Sequence, residues 1–157
     1  MTSPINQQQL SWRFQKFGDI PATDWYQICI ARIAVFVVEQ NCPYQELDGQ
    51  DLSARHLSVW TNRNDLVAYL RILAPGERFT HPSIGRVLTT HAARGLGLGR
   101  PLMEAGIERC RQEFPQHDIE LSAQAHLVDF YGSLGFKPVG ETYLEDGIPH
   151  IDMHRAS

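Results

Sequence analysis

Between Ser11 and Phe17 the chain alternates about Trp12 and Phe14, and this two-residue period predicts a strand. The period then changes. After Pro21, a residue suited to a helix start, Ile28, Ala31, Val35 and Val38 recur at three- and four-residue spacing, which predicts a helix over 22–38. Residues 39–53 are rich in Pro, Gly, Asp and Asn and read as a loop. Two strands, 55–61 and 66–73, follow across the hairpin signal Asn62-Arg63-Asn64-Asp65. A second loop, 75–82, leads to a strand over 84–90. Met103, Ile107, Cys110 and Phe114 then form one stripe of a helix over 98–114. A short strand (118–123), a short helix (126–134) and two strands flanking the turn pair Asp146-Gly147 complete the chain. This order predicts an α+β fold whose sheet is mostly antiparallel, with parallel pairing at the helical crossovers.

Composition narrows the class. A chain of 157 residues is expected to form one domain, residues 1–157, and 43% hydrophobic content argues against disorder. Fourteen Lys and Arg against 18 Asp and Glu give a net charge of -4, with no basic stripe for nucleic acid. Cys29, Cys42 and Cys110 are scattered and odd in number, the usage of reduced thiols in a cytoplasmic protein. Met1–Leu10 is polar, without the apolar core of a signal peptide, and the longest strongly apolar run, Ile33–Val38, is too short for a bilayer. A cytoplasmic protein with neither a membrane nor a nucleic-acid partner is expected.

The segment that carries chemistry is Ile84–Cys110. A strand ends near Thr90, and Gly95, Gly97 and Gly99 open the next helix. Alternating glycines let a backbone turn tightly and approach a ligand closely. The unpaired N–H groups of a first helical turn, beside the positive end of the dipole, bind phosphate. Arg94 and Arg100 flank the turn, and Pro101 breaks no bond in a first turn. Three readings remain open on the glycines alone: a tight strand–helix turn without a ligand, a phosphate cradle, or a dinucleotide turn. The last needs GxGxxG, where this chain has GxGxG, and a larger doubly wound sheet.

Arg94-Gly95-Leu96-Gly97-Leu98-Gly99 resembles the R/Q-x-x-G-x-G/A signature of the GNAT superfamily of N-acetyltransferases. Phe130-Tyr131-Gly132-Ser133-Leu134-Gly135-Phe136 matches that family's FYxxxGF motif, in the right order and with one strand between the two. Val35–Asp48, the pair Arg55-His56 and Tyr143–Met153 resemble the ElaA-like group within the superfamily, so the similarity covers nearly the whole chain. The resemblance implies a GNAT-like mixed, mostly antiparallel central sheet flanked by helices on both faces. It implies acetyl-CoA as cosubstrate, with no metal. Val87, Leu88 and Thr89 would offer main-chain groups to the pantetheine arm, with the N–H of Leu88 or a neighbour facing the thioester carbonyl. Arg94, Gly95, Leu96, Gly97, Leu98, Gly99 and Arg100 would hold the pyrophosphate, and Tyr131 would stand near the sulfur as general acid. Gln124 occupies a cofactor-contacting position where the family often has asparagine.

Acetyl transfer to an amine needs a proton acceptor for the amine, donors for the tetrahedral oxyanion and an acid for the leaving thiolate. Some relatives carry a glutamate base on the strand before the glycine loop, but Gly85-Arg86-Val87-Leu88 has no carboxylate. Glu39, Glu46, Asp48 and His56 are candidate bases, none of them singled out by the sequence. The acidic run around Glu46 and Asp48 would suit a cationic acceptor. His150, Asp152 and His154 share one strand face and have metal-ligand chemistry, yet with Ile151 and Met153 buried they form a polar outer face. His81, His91, His117 and His126 carry no specific signal. The expected activity is transfer of an acetyl group to a primary amine, of a small molecule or a peptide, by direct attack in a ternary complex. The alternatives are a CoA- or acyl-CoA-binding sensor without turnover and a metal-dependent enzyme. An exposed sheet edge offers a surface for a homodimer.

Overall fold

The computed structural model describes residues 4–157, so the first three residues of the polar N-terminal stretch lie outside it. Seven strands form one sheet: β1 (Ser11–Lys16), β2 (Arg55–Trp60), β3 (Leu66–Leu73), β4 (Ser83–Thr89), β5 (Ile119–Gln124), β6 (Lys137–Glu145) and β7 (Ile148–Arg155). The helices are α1 (Ala22–Ile33), α2 (Gly99–Glu113) and α3 (Val128–Gly132). The sheet order is β1-β2-β3-β4-β5-β7-β6, antiparallel at every neighbour except β4 and β5. Each predicted element forms within a few residues of its expected bounds. The largest departure is in the first helix, whose last turns, Ala34–Glu39, widen into a π-helix that sets Phe36 on the wall of a cleft.

Two apolar layers hold the sheet. Along β3, every residue of which is buried, Leu70 and Ile72 join Leu102, Met103 and Ile107 of α2. Tyr69 faces the other way and packs with Ile28 of α1, Val35, Trp60 and Leu88. Helices therefore cover both faces, which is why β3 reads as a nearly continuous apolar run and not as an alternation. No helix among the described residues is long and apolar enough to cross a membrane.

The site is positioned by a parting in this sheet. Strands β4 and β5 share one ladder pair, Ser83 with Glu120, and diverge beyond it. On the opposite side, the β3–β4 register slips between Tyr69 and Arg71, and Arg86 takes a left-handed φ of 52°. For a side chain with a Cβ that conformation is uncommon and has to be held by its surroundings. The Arg86 guanidinium is held by Glu46 and Asp48 of the 39–53 loop.

Candidate active site

Between the parted strands lies a cleft of about 310 Å³, at the lower end of the range for small-molecule sites. β4 contributes Ser83–Val87, β5 contributes Leu121, Ser122 and Gln124, and α3 contributes Tyr131. The β6–β7 hairpin closes the mouth with Glu145 and His150.

The backbone of β4 supplies donors to this cleft in a definite phase. The Thr90 amide donates to the Val67 carbonyl at 3.0 Å, on the β3 side. Because successive amides of a strand point to opposite sides, the Leu88 amide also faces β3, opposite Tyr69, and that of Thr89 faces away from β3. Leu88 has its side chain in the α1 layer, 4% exposed. Of the expected oxyanion donors, Leu88 or a neighbour, Val87 is the one that lines the cleft.

Beyond β4 the glycine loop turns through left-handed residues, Gly95 at φ 86° and Gly97 at 71°, before α2 begins at Gly99. Leu98 caps the helix without a side-chain hydrogen bond, and Pro101 has no N–H to donate. The amides of Gly95, Gly97, Leu98 and Gly99 donate to no protein acceptor among the described residues. These free donors stand at the positive end of a 15-residue helix, an arrangement whose chemistry suits an anion. The Leu96 amide turns inward to Ala93, and the Leu96 carbonyl accepts from the Gln7 amide side chain. The two arginines are held by protein groups. Arg94 makes a bidentate pair with Glu39, 2.7 Å at each oxygen, which lowers the Glu39 carboxyl below its ordinary range. Arg100 donates to Ser133 at 2.9 Å and pairs with Glu104 at 3.1 Å.

Tyr131 is 7% exposed, packed edge-on against Phe130 and Phe136, and lines the cleft. Its hydroxyl has no hydrogen-bond partner among the described residues. Burial pushes the phenol up to about 12, so it remains a proton donor at neutral pH. Gln124 lines the same cleft and stands opposite His150 in the β5–β7 register.

The four candidate bases are all committed elsewhere. Glu46, 2% exposed, takes Arg32 and Arg86; Asp48 takes Arg71 and Arg86; Asp51 takes Arg32 and Arg71. Three guanidinium groups and three carboxylates thus close a ring. Burial by itself would raise the Asp48 carboxyl, but its hydrogen bonds from Arg71 and the Arg86 charge hold it well below the usual range. The acidic run of the sequence is therefore not an open acidic surface. His56 is fully buried between the Tyr69 hydroxyl (2.6 Å) and the Asp51 carbonyl (2.9 Å), and burial lowers its affinity for a proton. The carbonyl can only accept, so Nε2 carries the ring proton and Nδ1 receives the tyrosine. Glu39 is bound to Arg94.

His150, Asp152 and His154 share a strand face over buried Met153, as expected, but divide among different partners. Asp152 accepts from Tyr143, and His154 pairs with Asp118. His150 Nδ1 donates to the Ile148 carbonyl at 2.7 Å, which leaves the Nε2 lone pair open toward the cleft, 3.6 Å from Glu145. Glu145 is anchored in turn by Arg78 at 3.0 Å. Sequence reasoning weighed His150 as a metal ligand and did not weigh Glu145. Its available signal was a carboxylate and a histidine at opposite ends of a two-residue hairpin.

The family model described as "Acetyltransferase (GNAT) domain" matches residues 26–157. Protein ElaA of Escherichia coli K12 is 45% identical over 148 residues, covering 93% of this chain and 96% of the relative. The crystal structure of Escherichia coli ElaA superposes with a TM-score of 0.87 at 44% identity, over 94% of this chain and 99% of that one. An acyl-CoA N-acyltransferase from Pseudomonas aeruginosa superposes with a TM-score of 0.88 at 46% identity, with the same coverage. With its seven-stranded sheet, parted strands and glycine loop, the chain belongs to the GNAT acetyltransferase family, in its ElaA-like group.

Proposed function

We propose that the protein performs its family's acyl-CoA-dependent acyl transfer as an N-acetyltransferase, moving the acetyl group of acetyl-CoA to a primary amine by direct attack in a ternary complex. One observation carries this reading. A buried phenol without a partner lines the cleft beside β4, and the loop amides before α2 have no protein acceptor among the described residues. The loop amides suit the pyrophosphate, and the main-chain groups of Val87 and Thr89 suit the pantetheine arm and the developing oxyanion.

The amine nitrogen attacks the thioester carbonyl carbon and gives up a proton to His150 Nε2. Glu145, 3.6 Å away, stabilises the imidazolium so formed. Collapse of the tetrahedral adduct breaks the C–S bond, and the departing thiolate takes the Tyr131 proton. The product is an N-acetyl amine and free CoA. Proton exchange with solvent then restores the phenol and the neutral imidazole. The three cysteines form no disulfide, which supports a cytoplasmic setting.

Thermal unfolding with acetyl-CoA, and separately with CoA, tests the site. At about 100 times Kd one bound ligand adds about 2.7 kcal/mol, a rise in Tm of roughly 5–10 °C for this size. An amine screen read by mass spectrometry then tests turnover. Stabilisation with no acetylated amine from any class would favour a non-catalytic acyl-CoA sensor, and no stabilisation by either ligand would overturn both readings.

A further inference from the structure

At the end of β4 remote from the glycine loop, side chains from both halves of the parted sheet converge. His81 precedes β4, His117 and Asp118 precede β5, and His154 lies near the end of β7. The ligating atoms of His81, Asp118 and His154 lie within 4.8 Å of one another, and all three residues are half-buried. His154 Nε2 stands 2.8 Å from Asp118 Oδ2, and His81 Nδ1 stands 3.1 Å from His117 Nδ1.

Two further observations point to a cation. Asp118 Oδ1 accepts the Ser157 amide at 2.9 Å, the outer hydrogen bond that orients a ligating carboxylate, and Oδ2 is left to the histidines. Glu120 is the cross-strand partner of His154, so the two side chains share a side of the sheet. Its Oε2 is buried without a hydrogen-bond donor among the described residues, a polar atom that a cation could satisfy.

We propose that His81, Asp118 and His154 bind a divalent transition-metal ion, and that the ion clasps the two halves of the sheet together. Two imidazoles and a carboxylate suit zinc with a fourth position left to water, and its tetrahedral ligands stand ~3.3 Å apart, a spacing that His154 and Asp118 already approach. The set overlaps at His154 alone with the His150, Asp152 and His154 trio visible in the sequence. His81 belongs to the half of the sheet ending in β4, and Asp118 and His154 belong to the half beginning with β5. The ion would sit beside Ser83 and Glu120, the one ladder pair that joins them. Nine residues of mostly extended chain, roughly 30 Å, separate His81 from Thr90 at the glycine loop, so the ion stands apart from acyl transfer.

The test uses the full chain stripped with a chelator and titrated with zinc chloride, followed by calorimetry and thermal unfolding. One ion per chain and a Tm higher by roughly 5–10 °C at about 100 times Kd are expected. His81→Gln and His154→Gln should each weaken binding by roughly tenfold or more, and His126→Gln, outside the cluster, should leave it intact. Asp118→Asn preserves shape and serves if a histidine variant fails to fold. Cobalt substitution should give tetrahedral visible bands without the thiolate charge-transfer band that cysteine ligands would produce. Absence of saturable binding, binding indifferent to the cluster variants, or a thiolate band would overturn the proposal.

Discussion

Glu46 Oε1 accepts from the Nε atoms of both Arg32 and Arg86, each at 2.7 Å, and so ties α1 to the bulged residue of β4. The carboxylate and the Arg32 side chain are fully withdrawn from water, so each charge depends on the others of the ring. Removing one member leaves buried charges without a counterpart. Glu46→Ala should destabilise the fold by about 3–5 kcal/mol, read as a fall in Tm and in the denaturant midpoint. An unchanged midpoint would mean that water replaces the carboxylate at no cost.

Acid should loosen the same ring. Asp48 and Asp51 are held below their ordinary range in the folded protein, so the unfolded chain binds more protons than the native one as pH falls. Their stabilising contribution is complete above the unfolded aspartate value of about 4 and is lost as pH drops through the lower folded values. Tm measured from pH 6 downward should fall below about pH 5, and Asp48→Asn should flatten that slope. Parallel slopes in the two proteins would remove Asp48 from the effect.

Tyr131→Phe should leave the Tm shift produced by CoA intact and lower kcat by roughly 10²-fold or more, the usual scale for loss of a general acid. Equal turnover in the two proteins would assign thiolate protonation to another group.

His150→Gln should depress kcat/KM, because no imidazole then remains to take the amine proton. Glu145→Gln should give a smaller loss. Unchanged kcat/KM in His150→Gln would point to a water-mediated base.

On the proposed reading, Glu39 and CoA phosphates would compete for the Arg94 guanidinium. Glu39→Gln releases Arg94 and should tighten CoA binding, by up to about fivefold for an exposed pair, and Arg94→Ala should weaken it. Titration calorimetry of both variants checks the opposite signs. A loss of affinity in both would mean that Glu39 positions Arg94 for the ligand.

What the sequence made legible follows from how local each cause is. The glycines of the loop before α2 announce a left-handed backbone, and Gly95 and Gly97 have it. The strand and helix periods locate every element because burial on one or two faces writes directly onto side-chain order. The phase of β4 was not legible. Which of Val87, Leu88 and Thr89 turns its amide to the cleft depends on the β3 register, and the slip beside Arg86 is recorded by no residue type. Charge pairing was equally hidden. Glu46 and Asp48 read as a solvated acidic run because Arg32, Arg71 and Arg86 come from α1, β3 and β4, distant in sequence. His150 was visible as a residue, but its tautomer is set by a carbonyl two positions away that only the hairpin geometry brings to Nδ1.

The parting of β4 from β5 also governs what the sheet can accept. A strand margin with unsatisfied amides normally lies at the rim of a sheet, where a second polypeptide can add to it. Here the parted margin lies at the centre, flanked by Tyr131 of α3 on one side and the terminal hairpin on the other. An extended molecule rich in amides and slimmer than a peptide strand can be threaded along it, and the same enclosure bars recruitment of another chain into a growing β-array.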